Sequence, residues 1–247
     1  LQHPDWESTD LSSLRMIVTG SSVVPINLIE GFHQRGIPVG QVYGSTETCP
    51  IAAVLRSKDA FRKIGSTGKP ALHCEVRVMD EDKNEVPDHM PGELWVRGPN
   101  VMREYWGNAE ATAEVFRNGW YRSGDVGYRD EDGFLFIHDR KRDIIISGGE
   151  NIYPAEIEGT LNEHPGVVES AVVGREDAQW GEVSVAFIIT RSPETATPEA
   201  LKAYLQQRLA RFKHPKEFRF LATLPRNTMG KVLRYELRAL ALESVDS

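Results

Sequence analysis

Apolar residues along this chain change their period twice, and that change excludes any single repeating architecture. Short continuous apolar runs come first, separated by a helix-length segment; from about Pro70 apolar and polar residues alternate one by one; beyond Asp139 a mixed longer period returns. Met16-Ile17-Val18, closed by Thr19-Gly20-Ser21-Ser22, precedes Pro25 and a segment running to Arg35, a pattern that predicts strand, turn and helix. Val39 to Tyr43 predicts the next strand. Two strands joined through a helix make a parallel βαβ unit, and such units bind ligands at the carboxyl ends of their strands. Gly20-Ser21-Ser22 and Gly44-Ser45-Thr46-Glu47 both lie at that end.

Alternation in the middle stretch, with Val76 and Val78 before the charged turn Asp80-Glu81-Asp82-Lys83 and Leu94 and Val96 after it, predicts an antiparallel curled sheet or small barrel. It continues through Gly119-Trp120-Tyr121 to Phe134-Leu135-Phe136-Ile137. The charge cluster Asp139-Arg140-Lys141-Arg142-Asp143 then marks a domain boundary, giving one domain over 1–141 (α/β over 1–69, β-rich over 70–141) and a second over 142–247. In the second domain Pro154 opens a helix from Ala155 to His164. Strands follow at Val167 to Val173 and Val183 to Thr190, then a helix from Pro198 to Arg211 and a strand at Glu217 to Leu221. The expected whole is a small α+β domain of two or three strands and three helices.

Composition narrows the function. The 247 residues carry 29 Lys+Arg against 36 Asp+Glu, a formal charge of −7, with no basic stripe, which argues against nucleic-acid binding. No apolar run approaches the roughly 18 residues of a membrane span, and the opening Leu1 to Asp10 has neither the basic start nor the apolar stretch of a secretion signal. Cys49 and Cys74 are the two cysteines, without CxxC spacing, so a reducing, cytoplasmic setting is expected.

Tyr43-Gly44-Ser45-Thr46-Glu47-Thr48 gathers a ring, a glycine, three hydroxyls and one carboxylate at a strand end. Mg²⁺ takes one or two carboxylates together with phosphate oxygens, so the segment suits a metal-bound phosphate; it also reads as a polar turn with Glu47 in solvent. Two further motifs follow. Gly119-Trp120-Tyr121-Arg122-Ser123-Gly124-Asp125 leads to Asp139-Arg140 and Ile146-Ser147-Gly148-Gly149-Glu150-Asn151-Ile152-Tyr153-Pro154-Ala155-Glu156-Ile157-Glu158, and Leu224-Pro225-Arg226-Asn227-Thr228-Met229-Gly230-Lys231 comes near the end. In this order and spacing they resemble the adenylate-forming superfamily of acyl-CoA synthetases, peptide-synthetase adenylation domains and luciferases.

The resemblance covers nearly the whole chain but only the later half of such proteins. They carry an earlier Ser/Thr/Gly-rich loop, ending in a lysine that grips the ATP phosphates, and none precedes Gly20. The chain is therefore expected to be a C-terminal piece, inactive alone, with apolar surface that favours a homo-oligomer. The implied reaction joins a fatty or aromatic carboxylic acid to AMP, using ATP and Mg²⁺, and then to coenzyme A. A non-catalytic module binding nucleotide, acyl-CoA or a protein is the alternative.

By the same resemblance Gly20, Ser21, Ser22, Tyr43 and Gly44 line the adenine, Thr46 meets the α-phosphate, and Glu47 holds Mg²⁺. Asp125 and Arg140 would take the ribose; their local alternatives are an Asx turn and a solvated charge. Ile137 is a base contact or a core residue. Lys231, otherwise an exposed lysine, would serve adenylation. Arg142 matches the hinge about which the small domain turns, where many relatives have Asp or Lys. Gly148 and Gly149 would let backbone approach the pantetheine, or simply form the turn before Pro154. Arg226, Arg234 and Lys213 read as surface charges.

Overall fold

The first apolar run forms β1 (Ile17–Gly20), helix α1 (Ile26–Gln34) follows, and β2 (Val39–Tyr43) pairs with β1 in parallel, Ile17 opposite Val39 through Gly20 opposite Val42. These features come from a computed structural model that describes every residue except 2, 21–23, 192, 229 and 244–247. Pro25 precedes α1, where its fixed φ and missing N–H cost nothing. Gly36, at φ +74°, lets the chain leave the helix. Ile29 is the residue that α1 buries, against Val24 and Val39.

Strand β3 (Ala53–Val54), helix α2 (Ser57–Ala60) and strand β4 (Lys69–Pro70) complete a four-stranded sheet in the order β1-β2-β3-β4, with the last two pairings antiparallel. Next come β5 (Glu75–Met79), β6 (Gly92–Arg97), helix α3 (Ala109–Val115), β7 (Phe116–Arg117), β8 (Trp120–Arg129) and β9 (Leu135–Arg140). They form a five-stranded antiparallel sheet. One edge of the long β8 takes β6; the other takes β7 and then β9. Alternation sends Val76, Val78, Leu94 and Val96 into one core with Tyr121 and Leu135. Backbone bonds from Thr67 N–H to Leu135 O and from Leu135 N–H to Gly68 O, both 2.8 Å, tie this sheet to the first. Together they make one compact unit, Leu1–Lys141.

The second unit is Arg142–Ser247. Its elements are β10 (Ile145–Ser147), β11 (Glu150–Ile152), α4 (Pro154–Asn162), β12 (Val167–Asp177), β13 (Gly181–Thr190), α5 (Pro198–Gln206), β14 (Glu217–Phe220) and α6 (Arg234–Leu242). Strand β13 is central, with β12 on one edge and β10 and β14 on the other. Both faces are covered. Val172, Ala186 and Ile188 pack under α4 and α5 with Ile157, Leu161, Leu201 and Leu205, while Val173, Val185 and Phe187 pack under α6 with Leu237 and Ala241. Two-sided burial explains the apolar runs Ala171-Val172-Val173 in β12 and Val185-Ala186-Phe187-Ile188 in β13.

Five strands, rather than the two or three expected, lie among the described residues of this unit. The additions are β10 and β11, three residues each, whose polar Ser147, Glu150 and Asn151 hide the alternation. The helix expected to reach Arg211 stops at Gln206; a separate 3-10 turn, Arg211–Lys213, follows.

Candidate functional site

At the carboxyl end of β2 the Tyr43 hydroxyl donates to Oδ2 of Asp125 at 2.8 Å. Asp125 stands directly across the β8–β9 pairing from Arg140, whose Nε lies 3.5 Å from Oδ1. The Asp125 N–H is taken by the Ser123 hydroxyl at 3.1 Å, and that hydroxyl donates to the Leu94 carbonyl at 2.7 Å. The local turn is thus closed by Ser123, and the Asp125 carboxylate is turned toward Tyr43 and Arg140. Burial first, then the neighbouring Asp125 charge, pushes the Tyr43 phenol well above its ordinary range, so it stays a donor. Ile137 packs with Tyr43 against the core of this unit.

The following loop is built to hold Glu47 still. A Cβ on Gly44 would fall 1.8 Å from the Pro50 carbonyl oxygen, so only glycine permits this approach. Thr48, buried, accepts the Ser45 N–H at 2.9 Å on its hydroxyl. Asn100 donates to the carbonyls of Thr48 and Ile51 at 2.7 and 3.1 Å, and Met102 N–H donates to the Glu47 carbonyl at 2.7 Å. The Glu47 carboxylate then accepts the Tyr105 hydroxyl on Oε1 at 2.9 Å. Burial pulls the Glu47 carboxyl upward. Its own N–H, the nearby Ser45 and Tyr105 hydroxyls and the Arg140 charge together outweigh that and hold it below its ordinary range. Thr46 is exposed at the head of the 3-10 turn Thr46–Thr48.

Gly20 ends β1 close to β2: a Cβ there would meet the Val42 methyl and carbonyl oxygen at 2.6 Å each. Ser21 and Ser22 lie outside the described residues. Among the described residues no group of three or more His, Cys, Asp or Glu side chains is placed to hold a metal ion. One fixed carboxylate beside hydroxyls suits Mg²⁺, which takes its remaining ligands from phosphate and water. Glu47 therefore fits that ion.

In the second unit Lys231 is exposed on a tight loop: its N–H donates to Asn227 Oδ1 at 2.9 Å, and its carbonyl accepts the Asn227 N–H at 3.0 Å. Arg226 braces this loop, donating to the Gly230 carbonyl at 2.5 Å and pairing with Glu169. Arg234 donates twice to Glu158, at 2.7 and 2.9 Å, and Lys213 pairs with Glu156 at 2.7 Å. Each of these three cations, expected to be a surface charge, is held in an ion pair, and Arg226 among them is exposed. Their carboxylates are 57 to 76 residues away in sequence and no local pattern exposes them.

Gly148 and Gly149 form the two-residue turn between β10 and β11, at φ +60° and +87°. Both positions are left-handed, which the tight hairpin demands. Arg142, exposed, opens the unit within the 3-10 turn Lys141–Asp143; its carbonyl accepts from Arg238, which also pairs with buried Asp143 at 2.7 Å. Tyr105 escaped the sequence reading because its partner Glu47 lies 58 residues earlier. Its only local sign was an aromatic pair ahead of Asn108, the residue that caps α3 through the Ala111 N–H.

Residues 1–106 match the model for AMP-binding enzymes, and residues 156–231 match the model for the AMP-binding enzyme C-terminal domain. The chain is similar to indoleacetate–CoA ligase of Aromatoleum aromaticum, 50% identical over 240 residues, covering 97% of this chain and 47% of that protein. It is 45% identical to a feruloyl-CoA synthase of an Amycolatopsis species, covering 96% and 48%. Among solved structures, o-succinylbenzoate CoA synthetase of Bacillus subtilis, in complex with its acyl-adenylate intermediate, superimposes with a TM-score of 0.88 at 40% identity, over 96% of this chain and 48% of that one. The chain spans about half the length of the relatives it matches. With two family models in sequence order, and with relatives of this similarity along 96–97% of its length, the chain belongs to the adenylate-forming, AMP-binding enzyme superfamily.

Proposed function

We propose that this chain is the later half of an AMP-forming acid–CoA ligase whose acid is aromatic. Activation of a carboxylate by ATP places negative charge on phosphorus, which a cation and hydroxyl donors stabilise. Asp125 offers two acceptor oxygens to the two ribose hydroxyls, with Arg140 beside it and Tyr43 packed along the base; Gly20 and Ile137 would complete that wall. Thr46 would donate to the α-phosphate. Bound Mg²⁺ would supply electrostatic stabilisation, and Glu47 is the residue that would hold it. Lys231 would bring a point charge to the adenylation step, Arg142 would be the hinge, and Gly148 and Gly149 would pass close to the pantetheine of coenzyme A.

The observation that carries this reading is the convergence of Tyr43, Asp125 and Arg140 at one strand end, in the unit that also holds Glu47. The aromatic acid is supported by relatives named for indoleacetate, ferulate and 2-succinylbenzoate. A cytoplasmic setting is supported by two free cysteines; no helix among the described residues is long and apolar enough to cross a membrane. The test is ATP–pyrophosphate exchange by the enzyme that contains this chain, against a panel of aromatic and aliphatic acids. Exchange with an aromatic acid, lost in Lys231→Ala, is expected. Exchange indifferent to the acid, or retained in that variant, would reject the reading.

A further inference from the structure

We infer that Tyr105 is a positioning residue that aims the Glu47 carboxylate at the metal ion; the inference rests on the metal role proposed for Glu47. A glutamate side chain has three torsions to freeze before it can serve as a ligand, and freezing them costs entropy that a second contact can prepay. Here the contact exists. The Tyr105 hydroxyl donates to Oε1 at 2.9 Å, which restrains the orientation of the carboxylate. The same short segment grips the glutamate's backbone, since Met102 N–H donates to the Glu47 carbonyl at 2.7 Å. Side chain and main chain of one residue are therefore both held by residues 102–105.

Tyr105 is itself fixed. Its N–H donates to Thr112 Oγ1 at 3.0 Å, that hydroxyl donates to the Asn108 carbonyl at 2.7 Å, and the Asn108 N–H returns to the Tyr105 carbonyl at 3.0 Å. Asn108 Oδ1 then accepts the Ala111 N–H at 3.0 Å and starts α3. The backbone of Tyr105 is thus anchored to the capped end of a helix. A tyrosine hydroxyl suits the task because it supplies one directed donor without adding a charge that would compete with the cation.

The test uses Mn²⁺ as the probe, with its electron-paramagnetic signal titrated by the enzyme that contains this chain in the presence of ATP, and AMP binding without metal measured calorimetrically in parallel. Tyr105→Phe keeps the ring and removes the hydroxyl. It is expected to weaken Mn²⁺ binding about 10-fold or more, the usual effect of losing a group behind a metal ligand, while AMP affinity stays unchanged. Thr112→Val, which keeps the phenol and frees its backbone mount, is expected to act in the same direction by less. Equal loss of Mn²⁺ and AMP affinity in Tyr105→Phe would make the role merely structural and overturn the inference. If Glu47→Gln weakens Mn²⁺ binding and Tyr105→Phe does not, the inference falls and the metal role stands. If Glu47→Gln has no effect, or the unsubstituted enzyme binds no Mn²⁺, the metal role fails and the inference with it.

Discussion

Replacing Glu158 by alanine should destabilise the second unit far more than a typical surface ion pair allows. Glu158 sits on α4, where alanine costs no helix propensity. Its Oε1 accepts both Arg234 Nη1 at 2.7 Å and the backbone N–H of Val172 at 2.7 Å, and its Oε2 accepts Arg234 Nη2 at 2.9 Å. Val172 is 0% exposed, so its N–H has no water to turn to when the carboxylate leaves. An orphaned buried donor costs about 1–3 kcal/mol. The ion pair, with side chains 15% and 23% exposed, is partly screened and adds about 1 kcal/mol. A loss near 3 kcal/mol, at roughly 4–8 °C per kcal/mol for a unit of this size, lowers the midpoint by about 12–24 °C. Scanning calorimetry would read this as a shift confined to one of two transitions. Glu158→Gln keeps an acceptor for Val172 and should cost only about 1 kcal/mol. Equal shifts in the two variants, or a drop under about 1 kcal/mol in the alanine variant, would refute the assignment of the cost to the stranded N–H.

Gly44→Ala must open the turn, because the new methyl would stand 1.8 Å from a backbone oxygen that cannot swing aside; a loss of about 1–3 kcal/mol in denaturant unfolding is expected. Asp130 predicts an acid limb. Burial raises its carboxyl, but Lys63 at 2.6 Å and the Phe134 N–H at 2.8 Å outweigh burial, so its folded value lies below its unfolded one. That stabilisation is present above roughly pH 4, the unfolded carboxylate range, and is lost as pH falls through the depressed folded value. Asp130→Asn should therefore flatten the decline of melting temperature between neutral pH and acid; an unchanged slope would contradict the assignment.

Much of the fold was legible where local chemistry decides it. Strand β2 runs from Val39 to Tyr43 as its apolar run indicates, and α1 lies between Pro25 and Gly36 because each punctuates the backbone for its own steric reason. The hairpin at Gly148-Gly149 was not legible as strands, since three residues on each side are too few to display alternation. Helix α3 was missed because none of its residues is buried, which leaves no apolar stripe to detect. Within the candidate site, Asp125 and Arg140 could be selected only through motif order. Nothing local reveals that a bulged pairing between β8 and β9 sets them side by side. The grip of Tyr105 on Glu47 and of Arg234 on Glu158 spans 58 and 76 residues, and such contacts exist only once the sheets are assembled.

Calorimetric titration of AMP into the enzyme that contains this chain and into its Asp125→Ala variant bears most directly on the nucleotide assignment. A carboxylate taking both ribose hydroxyls, at about 1.5–3 kcal/mol for each bond to a charged group and with water recovering some of it, predicts an affinity loss on the order of 100-fold. Equal AMP affinity in the two proteins would mean that Tyr43, Asp125 and Arg140 form a structural cluster and that the nucleotide binds elsewhere.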